Sequence, residues 1–373
     1  MVDKHRRAEY NVKRKRFSFV SLKNLATCFT KRSVNIMVTI KMIAQKCGCS
    51  VATVSKALNG APDVGAEKAK MIRKTAAEMG YTPNSAARAL KTLRTHNFGV
   101  LFEDDMNAGL THEFFSRILE SFKHRAEELG YDISFLSDHL GGRHVSYTEH
   151  ARYRGYDGIV IASVDYSSPD VQELVASGIP MVTIDYEFND CSSVVSDNFQ
   201  GMRELVTYIH SLGHSKIAFI HGEDTAVTRI RIASFYRTCA ELGIELPPEY
   251  VIPLHYHDPA SSGRVTRELM QLENRPTCII YPDDISYIGG INELDKMGIS
   301  VPGEISLAGY DGVRTCQMFK PRLTTLCQDA EQMGALAAEE LAHAVEEGKL
   351  HIARRIVVKG KLLPGDTVGP VEK

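Results

Sequence analysis

Between Val38 and Asn59 the chain reads VTIKMIAQKCGCSVATVSKALN, and this stretch constrains the fold more than any other. Ile40, Ile43 and Ala44 repeat at helical spacing, Cys47-Gly48-Cys49 forms a corner, and Ser50 can cap a second helix running to about Leu58. On that second helix Val54, Ala57 and Leu58 make an inward stripe, while Val51, Ala52, Ser55 and Lys56 face out. Methyl, hydroxyl and ammonium groups on one exposed face suit the DNA major groove. The methyls can meet thymine methyls, Ser and Lys can reach base edges, and the capped N-terminus favours phosphate. The expectation is a helix-turn-helix. A plain packing unit with a glycine corner would have the same spacing, so the flanking sequence decides.

Charge is distributed to match. The chain of 373 residues has a formal net charge of -2, yet residues 1–36 hold ten Lys/Arg against two Asp/Glu, and residues 38–96 hold ten against three. A basic front on an acidic body places any nucleic-acid affinity in the first quarter. The length calls for two domains, and no apolar run approaches a membrane span. The eight cysteines are scattered, with no second close pair or histidine cluster to complete a zinc site. They read as small apolar residues of a reduced, cytoplasmic chain. The stretch His255-Tyr256-His257-Asp258 reads as a solvated loop, and no metal or cofactor is expected.

Residues 1–37 read as a basic extension. Lys23 interrupts its only apolar stretch, Phe17 to Phe29, which argues against a secretion signal. The preferred reading is an upstream start, with Met37 the first residue in use; a disordered basic arm is the alternative.

Beyond residue 97 apolar runs alternate with amphipathic helices. Strands are expected at Phe98–Phe102, Ile133–Leu136, Gly158–Ala162, Met181–Ile184, Lys216–Ile220, Cys278–Tyr281 and Ile305–Ala308, and helices at Phe114–Leu129 and Gly201–Leu212. That order predicts parallel, doubly wound α/β layers without a dinucleotide or phosphate-loop fingerprint.

The runs TIKMIAQKCGCSVATVSKALNG at 39–60, AEKAKMIRKTAAEMGYTPNSAARAL at 66–90 and GYDG at 309–312 resemble the lactose-repressor/galactose-repressor (LacI/GalR) family of bacterial transcription regulators, from about Val38 to Gly369. The resemblance implies a helix-turn-helix head at 38–81, a hinge helix and linker at 82–96, and a two-lobed periplasmic-binding-protein-like body at 97–369 that the chain crosses about three times. It also implies DNA contacts from Ser50, Val51, Ala52, Thr53, Ser55, Lys56 and Asn59, and from Arg88 and Leu90 in the hinge, with Leu90 wedged into the minor groove. Gly65 stands where members often have Ser or Thr, so the third helix, expected over Glu67–Met79, starts with a weaker cap.

Ligands of open α/β sheets sit beyond the carboxyl ends of strands. Those ends carry Asp104, Asp105, Ser163, Asp185, Asp283, Asp284 and Asp311, and Phe114 can cover an apolar sugar face. Asp284 is expected to cap the next helix. The resemblance implies an effector-binding arginine at Arg231, in RIASF, and a cleft aspartate at Asp311, in GYDG. The expected effector site is therefore Phe114, Ser163, Asp185, Arg231, Asp283 and Asp311, suited to a neutral sugar. The implied protein is a homodimeric repressor on a double-stranded, near-palindromic operator. Control by a partner protein, a solute-binding protein and an enzyme are the alternatives. No catalytic pattern stands out, and residues 364–373 lack the heptads of a tetramerising coiled coil.

Overall fold

A computed structural model describes residues 38–82, 89, 94–103 and 109–371. Arg88, Leu90, Asp104 and Asp105, all singled out above, lie outside the described residues. The chain divides into two units, residues 1–84 and 85–373.

The first unit is a head of three helices, α1 (Ile40–Lys46), α2 (Val51–Leu58) and α3 (Ala66–Glu78). Thr39 and Ser50 cap α1 and α2, the Ser50 hydroxyl accepting from the Thr53 N–H at 3.1 Å. Gly48 takes φ +61° at the corner, a left-handed turn that favours glycine. Ile43, Ala44, Val54, Ala57, Ala69, Ile72 and Ala76 close the core. Gly65 precedes α3 without a side-chain cap bond, as its lack of a hydroxyl requires.

The body is built from two six-stranded sheets. One contains β1 (Asn97–Phe102), β2 (Asp132–Phe135), β5 (Gly158–Ser163), β6 (Met181–Ile184), β7 (Ser192–Ser196) and β13 (Arg355–Val358), in the order β13-β7-β6-β5-β1-β2, all parallel. The short ribbon β3 (His139–Leu140) and β4 (Arg143–His144) stands apart. Alternation along the strands explains the layers: Phe98, Val100, Val160 and Ala162 pack on α4 (Glu113–Glu128), while Leu101, Ile159 and Ile161 pack on α5 (Tyr147–Arg154) and α6 (Pro169–Val175).

The second sheet contains β8 (Ile217–His221), β9 (Val251–Pro253), β10 (Cys278–Ile280), β11 (Ser306–Asp311), β12 (Thr324–Cys327) and β14 (Lys361–Leu363), in the order β14-β12-β11-β10-β8-β9; only β14 runs antiparallel. Ile217 and Phe219 face α7 (Asn198–Ser211) and α8 (Ala226–Glu241), whereas Ala218 and Ile220 face α9 (Pro259–Met270) and α10 (Asp284–Met297). The last long helix, α11 (Ala330–Glu347), returns to the first lobe and packs on α4 and β5 through Met333, Ala337 and Leu341. The chain therefore changes lobe three times, at 196–198, 327–330 and 358–361.

The expected linker ends earlier than residue 96. The N–H groups of Thr95 and His96 donate to the two Asp157 carboxylate oxygens at 2.9 and 2.8 Å, and the Arg94 guanidinium donates to the Val345 carbonyl at 3.0 Å. Residues 94–96 are thus part of the body, because an aspartate between α5 and β5 supplies the acceptors.

Candidate functional site

On the head, the outward face of α2 carries the residues that can reach a ligand. Val51, Ala52, Lys56 and Asn59 are exposed, and Thr53 and Ser55 are partly so. Ser50 and Thr53 are occupied in the cap, and the Asn59 amide donates to the Ser55 carbonyl at 2.8 Å, closing the end of α2. The outward face therefore offers two apolar side chains, the partly exposed Ser55 hydroxyl and one ammonium, which pairs with the Asp63 carboxylate.

In the body, a cavity of about 300 Å³ opens where the carboxyl ends of the two sheets meet. Phe114, Ser163, Asp185, Arg231 and Asp311 all line it. Asp185 follows β6 in a left-handed conformation, φ +53°, and its Oδ1 accepts from the Ser196 N–H at 2.7 Å. Burial pushes its carboxyl up to about 6, against the Ser196 N–H and Arg231, which both favour the charged form. Asp311 ends β11 at φ +101°, an uncommon conformation for a residue with a Cβ, stored where a side chain is aimed into the cleft. Gly312 follows at φ +74°, and a Cβ there would run into Cys327.

Arg231 is fixed from several directions. Its Nε donates to Asn198 Oδ1 at 2.8 Å, Nη1 donates to the Pro282 carbonyl at 3.1 Å, and the guanidinium carbon lies 3.6 Å from the Tyr310 ring centroid. Nη2 stands 3.8 Å from Asp311 Oδ1, near enough for attraction and too far for a hydrogen bond. Asp311 Oδ1 instead accepts from Gln328 Nε2 at 2.6 Å, and the buried Gln328 Oε1 has no hydrogen-bond partner among the described residues.

Two expectations change. Asp283 is not in the cavity lining. Its carboxylate accepts from the N–H groups of Ile285, Ser286 and His257 and from the Ser286 hydroxyl, at 2.7–2.9 Å, so its lone pairs are committed to the N-terminus of α10. The cap is thus Asp283 and not Asp284. Asp284, one residue on, accepts from the Val313 N–H and the Thr325 hydroxyl, both at 2.7 Å, and burial pushes its carboxyl well above the usual range. It ties β12 to the turn after Asp311.

The stretch at 255–258 is likewise no plain solvated loop. Tyr256 and His257 line the cavity, the His257 ring lies tilted against His112 with centroids 4.0 Å apart, and Asp258 caps α9. Tyr166 and Tyr186 line it too, stacked at 4.0 Å and 6°. Strand-end reading does not reach these aromatics. It would have reached Gln328 had β12 been recognised, since Gln328 is the residue after that strand. Phe114 is only 6% exposed and serves the lobe core as much as the cavity, whereas Phe115 beside it also reaches the lining. Among the described residues no His/Cys/Asp/Glu group could hold a metal, and no helix is long and apolar enough to cross a membrane.

Comparison with known proteins follows this division. Residues 39–84 match the family of bacterial regulatory proteins, lacI family, and residues 206–368 match the periplasmic binding protein-like domain. The HTH-type transcriptional repressor PurR of Erwinia tasmaniensis is 30% identical over 307 residues, covering 81% of this chain and 88% of the relative. Two solved structures share the fold. The lac repressor dimer bound to operator and the anti-inducer ONPF has a TM-score of 0.73 at 22% identity, covering 89% of this chain and 99% of the other. The transcriptional regulator CelR-cellobiose complex has a TM-score of 0.64 at 22% identity, covering 88% of this chain and 99% of the other.

Proposed function

Because the chain belongs to the lacI family of bacterial regulatory proteins, we propose that it is a dimeric transcriptional repressor whose operator affinity is set by a neutral sugar in the inter-lobe cleft. Each head lays α2 in the major groove of one half-site of a near-palindrome, using Val51, Ala52 and Lys56 at base edges and the capped helix start at phosphate. Arg88 and Leu90 belong to the hinge that carries the signal between body and DNA. Ligand and operator are coupled reciprocally, since each binds one lobe arrangement better than the other.

The observation that carries the sugar reading is the pairing of acceptors with aromatic planes around one fixed cation. Asp185, Asp311 and the unpartnered Gln328 Oε1 offer acceptors to adjacent hydroxyls, and Arg231 offers donors. The stacked Tyr166–Tyr186 pair and Phe115 supply apolar surface for a ring. A polyanion would meet three carboxylates, Asp185, Glu223 and Asp311, and a single buried guanidinium. A cavity of about 300 Å³ is at the small end of ligand sites, the size of a monosaccharide or small glycoside. One structural neighbour of the same fold is a cellobiose complex. The relatives are repressors, and the cleft is read as a binding site without turnover.

A thermal-shift screen of the protein against monosaccharides, small glycosides and nucleobases tests this reading. A ligand that binds the folded state raises the melting temperature. A sugar hit that disappears in Arg231→Lys supports it. A response only to nucleobases, or to no small molecule while DNA binding persists, removes the sugar and favours control by a partner protein.

A further inference from the structure

Lys56 is the one cation on α2, and its ammonium pairs with Asp63. Asp63 lies in the connection from α2 to α3, and that connection is folded back on the helix it leaves. Asn59 closes α2 through the Ser55 carbonyl, the Ala61 N–H donates to the Lys56 carbonyl at 2.9 Å, and Val64 packs against the head core. The turn is pinned on both sides of Asp63, which delivers its carboxylate to the outward face of α2. Both side chains stay half exposed, Lys56 at 55% and Asp63 at 53%, so the pair is accessible to a ligand on that face. The Lys56 ammonium holds the Asp63 carboxyl below the usual range, and it is charged at neutral pH.

We propose that Asp63 is a specificity-determining positioning residue of the head: it masks Lys56 from phosphates and yields it to a base edge that satisfies ammonium and carboxylate together. This rests on the reading of α2 as the helix that enters the major groove. An unpaired lysine on that face gains equally from any phosphate, because phosphate neutralisation carries no sequence information. With Asp63 beside it, the same contact must break an ion pair and leaves a carboxylate facing the backbone. A G·C pair answers both groups, since guanine O6 and N7 accept from lysine and the cytosine N4 amine donates to a carboxylate. Val51 and Ala52 present no hydrogen-bonding group and Ser55 presents one neutral hydroxyl, so charged discrimination on this face falls to the Lys56–Asp63 pair. An exposed ion pair is weak enough to open on each encounter, which suits a filter and not a strut.

The test uses the full chain, Asp63→Asn, Lys56→Ala and the double variant, each titrated against two probes. One probe is the duplex that the wild-type chain enriches from a random pool, and the other is a random-sequence duplex of equal length. Asp63→Asn is expected to tighten random-duplex binding on the order of tenfold at low salt, with the log–log salt slope steeper by about 0.9, one phosphate contact. Enriched-duplex affinity should change less, and repeat selection with Asp63→Asn should show one relaxed G·C position. In the Lys56→Ala background Asp63→Asn should have no such effect. An unchanged random-duplex affinity and slope overturns the proposal. So does equal tightening in the Lys56→Ala background, which would make Asp63 a general repulsive charge. If wild-type enriches no sequence, the major-groove reading and this proposal fall together; a selective wild-type with an identical Asp63→Asn profile overturns the proposal alone.

Discussion

The Arg231 guanidinium rests on the face of Tyr310, its carbon 3.6 Å from the ring centroid. Stacking fixes the plane of the fork, and the bonds to Asn198 and the Pro282 carbonyl fix its rotation within that plane. A flexible ammonium has no plane to stack and no fork to orient. The cleft therefore holds a cation whose remaining donors are aimed before any ligand arrives, which removes an ordering cost from binding.

Arg231→Lys keeps the charge and loses that geometry. Charge-assisted hydrogen bonds contribute roughly 1.5–3 kcal/mol each, so loss of one should lower ligand affinity by about 10- to 150-fold while operator affinity without ligand is unchanged. Calorimetric titration of the screened ligand, beside a DNA titration, checks both. Arg231→Ala is a harsher change, because it strips a partner from the buried Asp311 and should lower body stability by about 3 kcal/mol.

Ligand binding should depend on pH through Asp185. Its carboxyl is raised to about 6, so the protonated form is favoured in the folded state. That contribution to stability is full below the ordinary value near 3.8 and is lost as pH rises through about 6. A ligand hydroxyl donating to Asp185 favours the ionised form instead. Affinity should then rise between pH 5 and 7, by up to about tenfold per unit below the pKa, and level off above it. Asp185→Asn should flatten the curve; a flat curve in the wild type would remove Asp185 from the ligand contacts.

Asp283→Ala separates a cap from a ligand contact. Four donors lose their acceptor, and the body should lose about 2 kcal/mol in urea unfolding. Ligand affinity should fall only in step with that loss, through the loosened His257 backbone of the cavity lining. A selective loss of affinity at unchanged stability would return Asp283 to the site.

How much of this was legible in the sequence follows from what each residue's role depends on. The head was readable because its signals are local: Ser50 caps within three residues, and Val54 and Ala57 sit one helical turn apart. Central strands such as Met181–Ile184 were readable as apolar runs, whereas β12, β13 and β14 were not, being short or polar pieces near the sheet edges. Strand ends located Asp185 and Asp311. They could not separate Asp283 from Asp284, because one step along the chain decides which carboxylate meets the N–H groups of α10. Tyr166 and Tyr186 stack across 20 residues, and Lys56 meets Asp63 across a folded-back turn. Such contacts exist only once the chain has closed.

The head should also fail on its own. Ile72 is fully buried in a core of seven small or medium side chains, and Ile72→Ala should cost about 2–4 kcal/mol. Operator binding should be lost while the ligand-induced thermal shift of the body persists. Loss of both would contradict the division into two units.

The central claim is that cleft and operator report to each other, and one titration meets it directly. The full chain is titrated onto its enriched duplex with and without saturating cleft ligand, in wild type and Arg231→Lys. The expected result is a change in operator affinity of at least about fivefold in the wild type and none in the variant at the same ligand concentration. Unchanged affinity in a wild type whose cleft is demonstrably filled would contradict the account.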